Sequence, residues 1–234
     1  MNASDFLALQ DIDSAIDAIA HRKQRLPEAA AQKDARAEVD RIRAEGAAAQ
    51  RQIDEAQAII DGAEREAADL TAKRNRLEAQ LKTVIAPREA EALMSEINTI
   101  AQHRSELDDR ELEALDTQAQ GEAALAAAVA QLPAAEAVLA VTTATLDEVT
   151  ADLDAEAASL AAQRTAAAAA LDDAAMSRYT RLRQQFGGVA VARLQGSHCS
   201  GCHMDLSPME LDQVRSTAAD QLAECPQCGR FMAR

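Results

Sequence analysis

The chain has 234 residues, 48% of them hydrophobic but largely alanine, with 2% aromatics, no Trp and a formal net charge of −15. So little aromatic and branched bulk excludes an ordinary globular core of this size and suits long helices. The negative charge excludes a chain that grips nucleic acid along its length, and the longest uninterrupted apolar stretch, Ala123–Ala130, is far short of a membrane span.

Small or apolar residues recur at alternating three- and four-residue steps through Leu9, Ile12, Ile16, Ile19, Lys23 and Leu26. That rhythm predicts a helix with one apolar stripe, from which the Lys23 side chain snorkels out. Pro27 interrupts it, and the rhythm resumes in a new register from Val39 through Ile42, Ala49, Ala56, Ile60, Ala63, Leu70 and Leu77 to Val84. Gly46 and Arg74 are the weak points of this heptad seam. A reversal is expected near residues 83–88, where Pro87 suits the first position of a new helix and Glu89 its first turn.

The second stretch carries Leu93, Ile97, Ile100 and Leu107, then six leucines at strict seven-residue spacing: Leu125, Leu132, Leu139, Leu146, Leu153 and Leu160. A straight α-helix drifts by ~20° per heptad, so a strict repeat implies a supercoil with a partner helix. Antiparallel pairing about the reversal gives a nearly constant sum of residue numbers. Leu77 then faces Leu93, Ile42 faces Val129, Val39 faces Leu132, and Ile19 faces Leu153. The expected fold is mainly α: a long antiparallel helical hairpin, a coiled coil within one chain, over residues 1–186. A dimeric coiled coil would leave the constant sum a coincidence. Pro27 and Pro133 should each kink or break an arm. The alanine run at Ala166–Ala170 is expected to carry the second helix on toward Phe186, where Gly187 and Gly188 end it.

Residues 187–234 hold all four cysteines, as Cys199-x-x-Cys202 and Cys225-x-x-Cys228, with 22 residues between the pairs. That spacing is the pattern of a four-thiolate zinc site: each pair puts two sulfurs on one tight turn, and two turns close a tetrahedron. Gly201 inside the first knuckle and Gly229 after the second stand where a positive φ is often needed. Four protein ligands leave no open position, so one structural Zn²⁺ is expected, not a catalytic one. Iron in a rubredoxin-like site would use the same sulfurs, but zinc is the commoner occupant. A redox C-x-x-C would want a βαβ context, which is missing. Disulfides would suit secretion, yet the first 30 residues are charged, with no apolar signal core, so a reducing cytoplasm is expected. His198 and His203 flank the first knuckle as neighbours, not ligands. Val189–Leu194 alternates like a short strand, and Ser207-Pro208-Met209-Glu210 is a capping box opening a helix to about Ser216. Two knuckles on short strands with an inserted helix make a zinc ribbon.

The ribbon motifs are Cys199-x-Gly201-Cys202-His203-Met204-x-Leu206-x-Pro208 and Cys225-Pro226-x-Cys228-Gly229-Arg230, preceded by Tyr179-x-x-Leu182-Arg183 and Gly188-Val189-Ala190. With Leu9-Gln10-x-Ile12-Asp13 and the tip Arg88-Glu89-x-x-Ala92-Leu93, they resemble a family of bacterial coiled-coil proteins with a C-terminal C4-type zinc ribbon. The resemblance spans essentially the whole chain. It implies a hairpin plus ribbon, and roles in binding nucleic acid or as a chaperone-like adaptor for transcription or secretion components. Where the family usually has an aromatic after the tip glutamate, this chain has Ala90.

No phosphate loop, H-E-x-x-H or other catalytic constellation is present, so no enzyme and no small-molecule substrate are expected. The ribbon's four basic and five acidic residues leave −14 of the charge on residues 1–186. The leading expectation is therefore a non-enzymatic adaptor whose acidic coiled coil meets protein partners. The alternative is nucleic-acid binding through the ribbon and Arg178, Arg181, Arg183 and Arg193, though cations near a helix C-terminus also simply complement its dipole.

Overall fold

The computed structural model describes residues 3–218 and 221–234. Its helices are α1 (Ala3–Lys23), α2 (Pro27–Leu81), α3 (Pro87–Ala169), α4 (Asp173–Gln185) and α5 (Pro208–Ser216). The strands are β1 (Val191–Gln195), β2 (His198–Cys199) and β3 (Phe231–Ala233). The chain divides into two compact units, one of Met1–Ala30 with Ala144–Arg234 and one of Ala31–Thr143.

In the unit of Ala31–Thr143, α2 and α3 pack antiparallel about the turn that follows Leu81 and ends at Pro87, where the reversal was expected. The seam residues Val39, Ile42, Ala49, Ala56, Ile60, Ala63 and Leu77 are buried on α2, with Ile100, Leu107, Ala114 and Ala128 buried on α3. Arg74, a predicted weak point, lies outside the seam and pairs with Glu78 on its own helix at 2.7 Å. Polar bridges seal the flanks: Lys73 to Glu96 at 2.7 Å, Arg43 to Glu136 at 2.7 Å, and Gln118 Nε2 to Gln57 Oε1 at 2.9 Å.

One expectation for this unit fails, and another is narrowed. Val129 does not face Ile42; it is 61% exposed, and Ala128 occupies the seam instead. Pro133 lies inside α3, which runs through it unbroken. The proline removes the hydrogen bond to the carbonyl four residues earlier, that of Val129. Because Val129 faces water, the orphaned carbonyl has a partner in solvent and the packed seam continues. By length and composition alone α3 is apolar enough to cross a membrane. An exposed alanine-rich helix meets the same criterion.

In the other unit, Ile19, Leu26 and Leu153 form a buried cluster with Leu146 and Leu160 packed against it, in the expected register. Pro27 does break its arm: α1 ends at Lys23 and Pro27 opens α2. The alanine run, however, does not carry one helix to Phe186. α3 stops at Ala169, and Asp172 caps a separate α4, its carboxylate accepting from the Ala175 N–H at 3.0 Å. A side chain that satisfies an orphan N–H outweighs the propensity of alanine to continue. Gly187 and Gly188, with φ of 60° and 98°, then turn the chain into the ribbon.

The ribbon's sheet has the order β2-β1-β3, with β1 antiparallel to β2 (Leu194 opposite Cys199) and parallel to β3 (Val191 opposite Phe231). Side chains alternate across it. Val191, Phe231 and Ala233 face a core shared with Ala3, Phe6 and Leu9 of α1 and with Tyr179 and Leu182 of α4. Ala192 and Met232 face a second core with Leu206, Val214, Ala223, Cys199 and Cys225.

Candidate metal centre

Each knuckle is a tight turn closed by one backbone bond. The His203 N–H donates to the Cys199 carbonyl at 2.9 Å, and the Gly229 N–H to the Cys225 carbonyl at 2.8 Å. The residue after the second cysteine takes the left-handed conformation in both, with φ of 61° at His203 and 72° at Gly229. Gly201 is thus not the positive-φ position. It is there for space: a Cβ at Gly201 would lie 2.8 Å from Arg230 Cδ and 3.0 Å from Ala192 Cβ.

The four sulfurs of Cys199, Cys202, Cys225 and Cys228 all lie within 4.8 Å of one another, and Cys202 Sγ is 3.9 Å from Cys225 Sγ. Tetrahedral Zn–S bonds of about 2.3 Å place sulfurs at about this separation, so the donor set fits zinc in number, chemistry and spacing. Burial pushes the Cys225 thiol up to about 12, whereas at Cys228 hydrogen bonds from Arg230 outweigh burial and lower it. A metal replaces those protons, because thiolate is the ligating form. His203 is exposed, and the half-buried His198 lies 3.4 Å from Asp205; neither joins the sulfur cluster.

Two of the four candidate nucleic-acid arginines are ion-paired within the chain. Arg178 is ion-paired with Glu224, and its guanidinium sits 5.5 Å from the Phe231 ring centre. Arg183 pairs with Asp13 and Asp17, each at 2.5 Å, and donates to the Gly188 carbonyl at 3.1 Å. Arg181 and Arg193 are exposed and in no ion pair among the described residues.

Sequence reasoning missed the polar joint between α1 and the ribbon. Gln10 is buried and accepts from the Ala190 and Val191 N–H groups at 2.7 Å each, while its amide donates to the Val191 carbonyl at 3.1 Å. One turn on, Asp13 is 3% exposed. It accepts from Arg164 Nε at 2.6 Å, from the Tyr179 hydroxyl at 2.8 Å and from Arg183. Burial alone would raise the Asp13 carboxyl; the bonds from Arg164, Tyr179 and Arg183 outweigh it and hold the group below the usual range. The same pairing, added to burial, drives the Tyr179 hydroxyl well above its ordinary value. A signal was present in the sequence: Phe6, Leu9, Gln10 and Asp13 share one helical face, and two polar residues on an apolar stripe need buried partners.

Two family models match the chain: a CT398-like coiled coil hairpin domain over residues 9–187 and a C4-type zinc ribbon domain over residues 198–232. The uncharacterized protein Rv2229c of Mycobacterium tuberculosis is 30% identical over 97% of this chain and 93% of its own length. Among solved structures, CT398 from Chlamydia trachomatis has a TM-score of 0.84 at 24% identity, covering 99% of this chain and 96% of its own. A Mycobacterium smegmatis protein has a TM-score of 0.79 at 21% identity, covering 99% and 97%. HP0958 of Helicobacter pylori has a TM-score of 0.53 at 14% identity, covering 98% and 95%.

Proposed function

Since the chain belongs to the CT398-like coiled coil hairpin family and ends in a C4-type zinc ribbon, we propose that it is a non-enzymatic adaptor with chaperone-like character. Its acidic hairpin, residues 1–186 with the tip at 83–88, meets protein partners, and its ribbon, residues 187–234, holds one structural Zn²⁺ through Cys199, Cys202, Cys225 and Cys228. Components of transcription or secretion machinery are the partner class that the resemblance suggests. Thiols kept as metal ligands suit a reducing compartment, and we place the protein in the cytoplasm.

The observation that supports this reading is the pairing of Arg178 and Arg183 with carboxylates of this chain, which compete with phosphate at two of the four candidate contacts. The nucleic-acid reading retains Arg181 and Arg193, which are exposed. A salt titration of duplex and single-stranded probes, with wild type and an Arg181→Ala/Arg193→Ala variant, separates the two. The adaptor reading predicts weak binding at near-physiological salt and nuclease-resistant recovery of protein partners. Tight binding that falls steeply with salt and disappears in the variant overturns it.

A further inference from the structure

Within the unit of Ala31–Thr143, one flank of the helix pair is bridged at three of four successive heptad steps, the step of Ile59 and Arg110 being open. Lys73 pairs with Glu96 at 2.7 Å, Glu66 with His103 at 3.2 Å, and Gln52 donates to the Thr117 carbonyl at 3.1 Å. Each such pair lies a multiple of seven residues further along α2 and back along α3. The next two steps place Glu45 opposite Ala124 and Glu38 opposite Gln131, and there the bridging stops. Glu38 and Glu45 pair instead with Arg41 of their own helix, at 2.6 and 2.5 Å. Grooves line the bridged part of this flank too, about 270 Å³ beside Gln52 and Thr117 and about 510 Å³ beside Lys73 and Glu96. The one past the last bridge, about 330 Å³, differs in being lined mostly by apolar side chains, those of Ala35, Ile42, Ala134, Ala135 and Val138. Val138 is 55% exposed.

We propose that this groove is the docking site for an amphipathic helix of a partner protein, with bulky aliphatic side chains on its apolar face and Lys or Arg along one edge. The proposal rests on the adaptor reading and names the surface it would use. A helix apolar on nearly every side is ordinarily covered on every side. From 123 to 141, α3 carries one charged residue, Glu136, which Arg43 neutralises at 2.7 Å. The alanines at the groove leave room that large aliphatic knobs would fill. The two rims differ. The α3 rim is neutral, whereas on α2 Asp34, Glu38 and Glu45 stand against Arg41 alone. A basic edge on the incoming helix would complement that rim and fix its orientation. A second copy of this chain, at −15, brings like charge to the same place.

The test uses the full zinc-loaded chain and three-heptad synthetic helices labelled for fluorescence anisotropy. One has leucine at its a and d positions and a lysine edge, one replaces those lysines with glutamate, and one replaces the leucines with alanine. The lysine-edged leucine peptide should bind at least tenfold tighter than either of the others. Glu38→Lys/Glu45→Lys should reverse the preference between lysine and glutamate edges. Ala134→Trp, at an exposed position beside Val138, should weaken binding at least tenfold. Equal affinity for the three peptides, or binding indifferent to both variants, overturns the assignment. So does sedimentation showing a dimer that Val138→Glu dissociates, because the groove then belongs to a second copy. Protein partners that Ala134→Trp still recovers from a nuclease-treated lysate leave the adaptor reading standing and remove the groove. Absence of any protein partner removes the adaptor reading, while the peptide titration still decides the groove.

Discussion

Asp13→Ala should loosen the base of the hairpin although it removes little apolar surface. The wild-type carboxylate is 3% exposed and bonded to Arg164, Tyr179 and Arg183. Removing one partner of a buried charge cluster costs about 3–5 kcal/mol, because the charges left behind stay desolvated. The lower end applies here. The Arg164 side chain is 38% exposed and can rehydrate, and Arg183 keeps Asp17 and the Gly188 carbonyl. A loss of about 3 kcal/mol in local stability follows, read as faster hydrogen exchange of the amides of α1 and α4. Asp13→Asn, which keeps one of the two acceptor oxygens and the side-chain volume but no charge, should lose less. Acidity should act in the same direction. The folded carboxyl titrates below its unfolded value of about 3.9, so its contribution is complete above about pH 4 and is lost as pH falls through the lower folded pKa. Asp13→Asn should lack that acid-sensitive component. An Asp13→Ala protein whose α1 exchange stays within a factor of two of wild type would refute the assigned network.

Fresh reduced protein should contain one zinc per chain, and a Cys228→Ser variant should bind it far more weakly; metal analysis near zero for wild type would contradict the four-thiolate centre. Gly121→Ala should destabilise by about 1 kcal/mol, since its Cβ would sit 2.9 Å from Ile53 Cγ1 and 3.3 Å from the Ala49 carbonyl oxygen. Gly62→Ala meets nothing within 4 Å and should stabilise by about 0.5–1 kcal/mol, so thermal midpoints should move in opposite directions. Cysteines replacing Ile19 and Leu153 should crosslink within one chain, and crosslinks only between chains would place the seam between copies.

The hairpin and the ribbon were legible because each is periodic or spaced. Heptads announced the seam of α2 and α3, the Pro87 turn marked the reversal, and C-x-x-C pairs marked the knuckles. What was not legible depended on contacts distant in sequence. Gln10 and Asp13 look like polar residues on a helix until the ribbon and α4 close over them, 180 and 166 residues further along. Pro133 does not break α3, because the one hydrogen bond it removes falls at Val129, on an exposed stretch, while the packed seam on either side holds the helix together. The alanine run misled because propensity is a weak local preference against the Asp172 cap. The pairing of Arg178 with Glu224 and of Arg183 with Asp13 and Asp17 was not legible either, since charge in sequence does not reveal which carboxylates a cation meets.

The hairpin supplies no metal ligand, which by itself would leave its helices indifferent to metal removal. The shared core argues otherwise: Phe231 lies three residues after Cys228 and packs against Phe6 at 5.2 Å between ring centres. Hydrogen exchange of the zinc-loaded and chelated protein, compared segment by segment, tests that joint most directly. Chelation should deprotect the ribbon together with the first half of α1 and with α4, while the distal stretches of α2 and α3 keep their protection. Full protection of α1 in a chelated protein whose ribbon exchanges freely would contradict a ribbon that holds the base of the hairpin together.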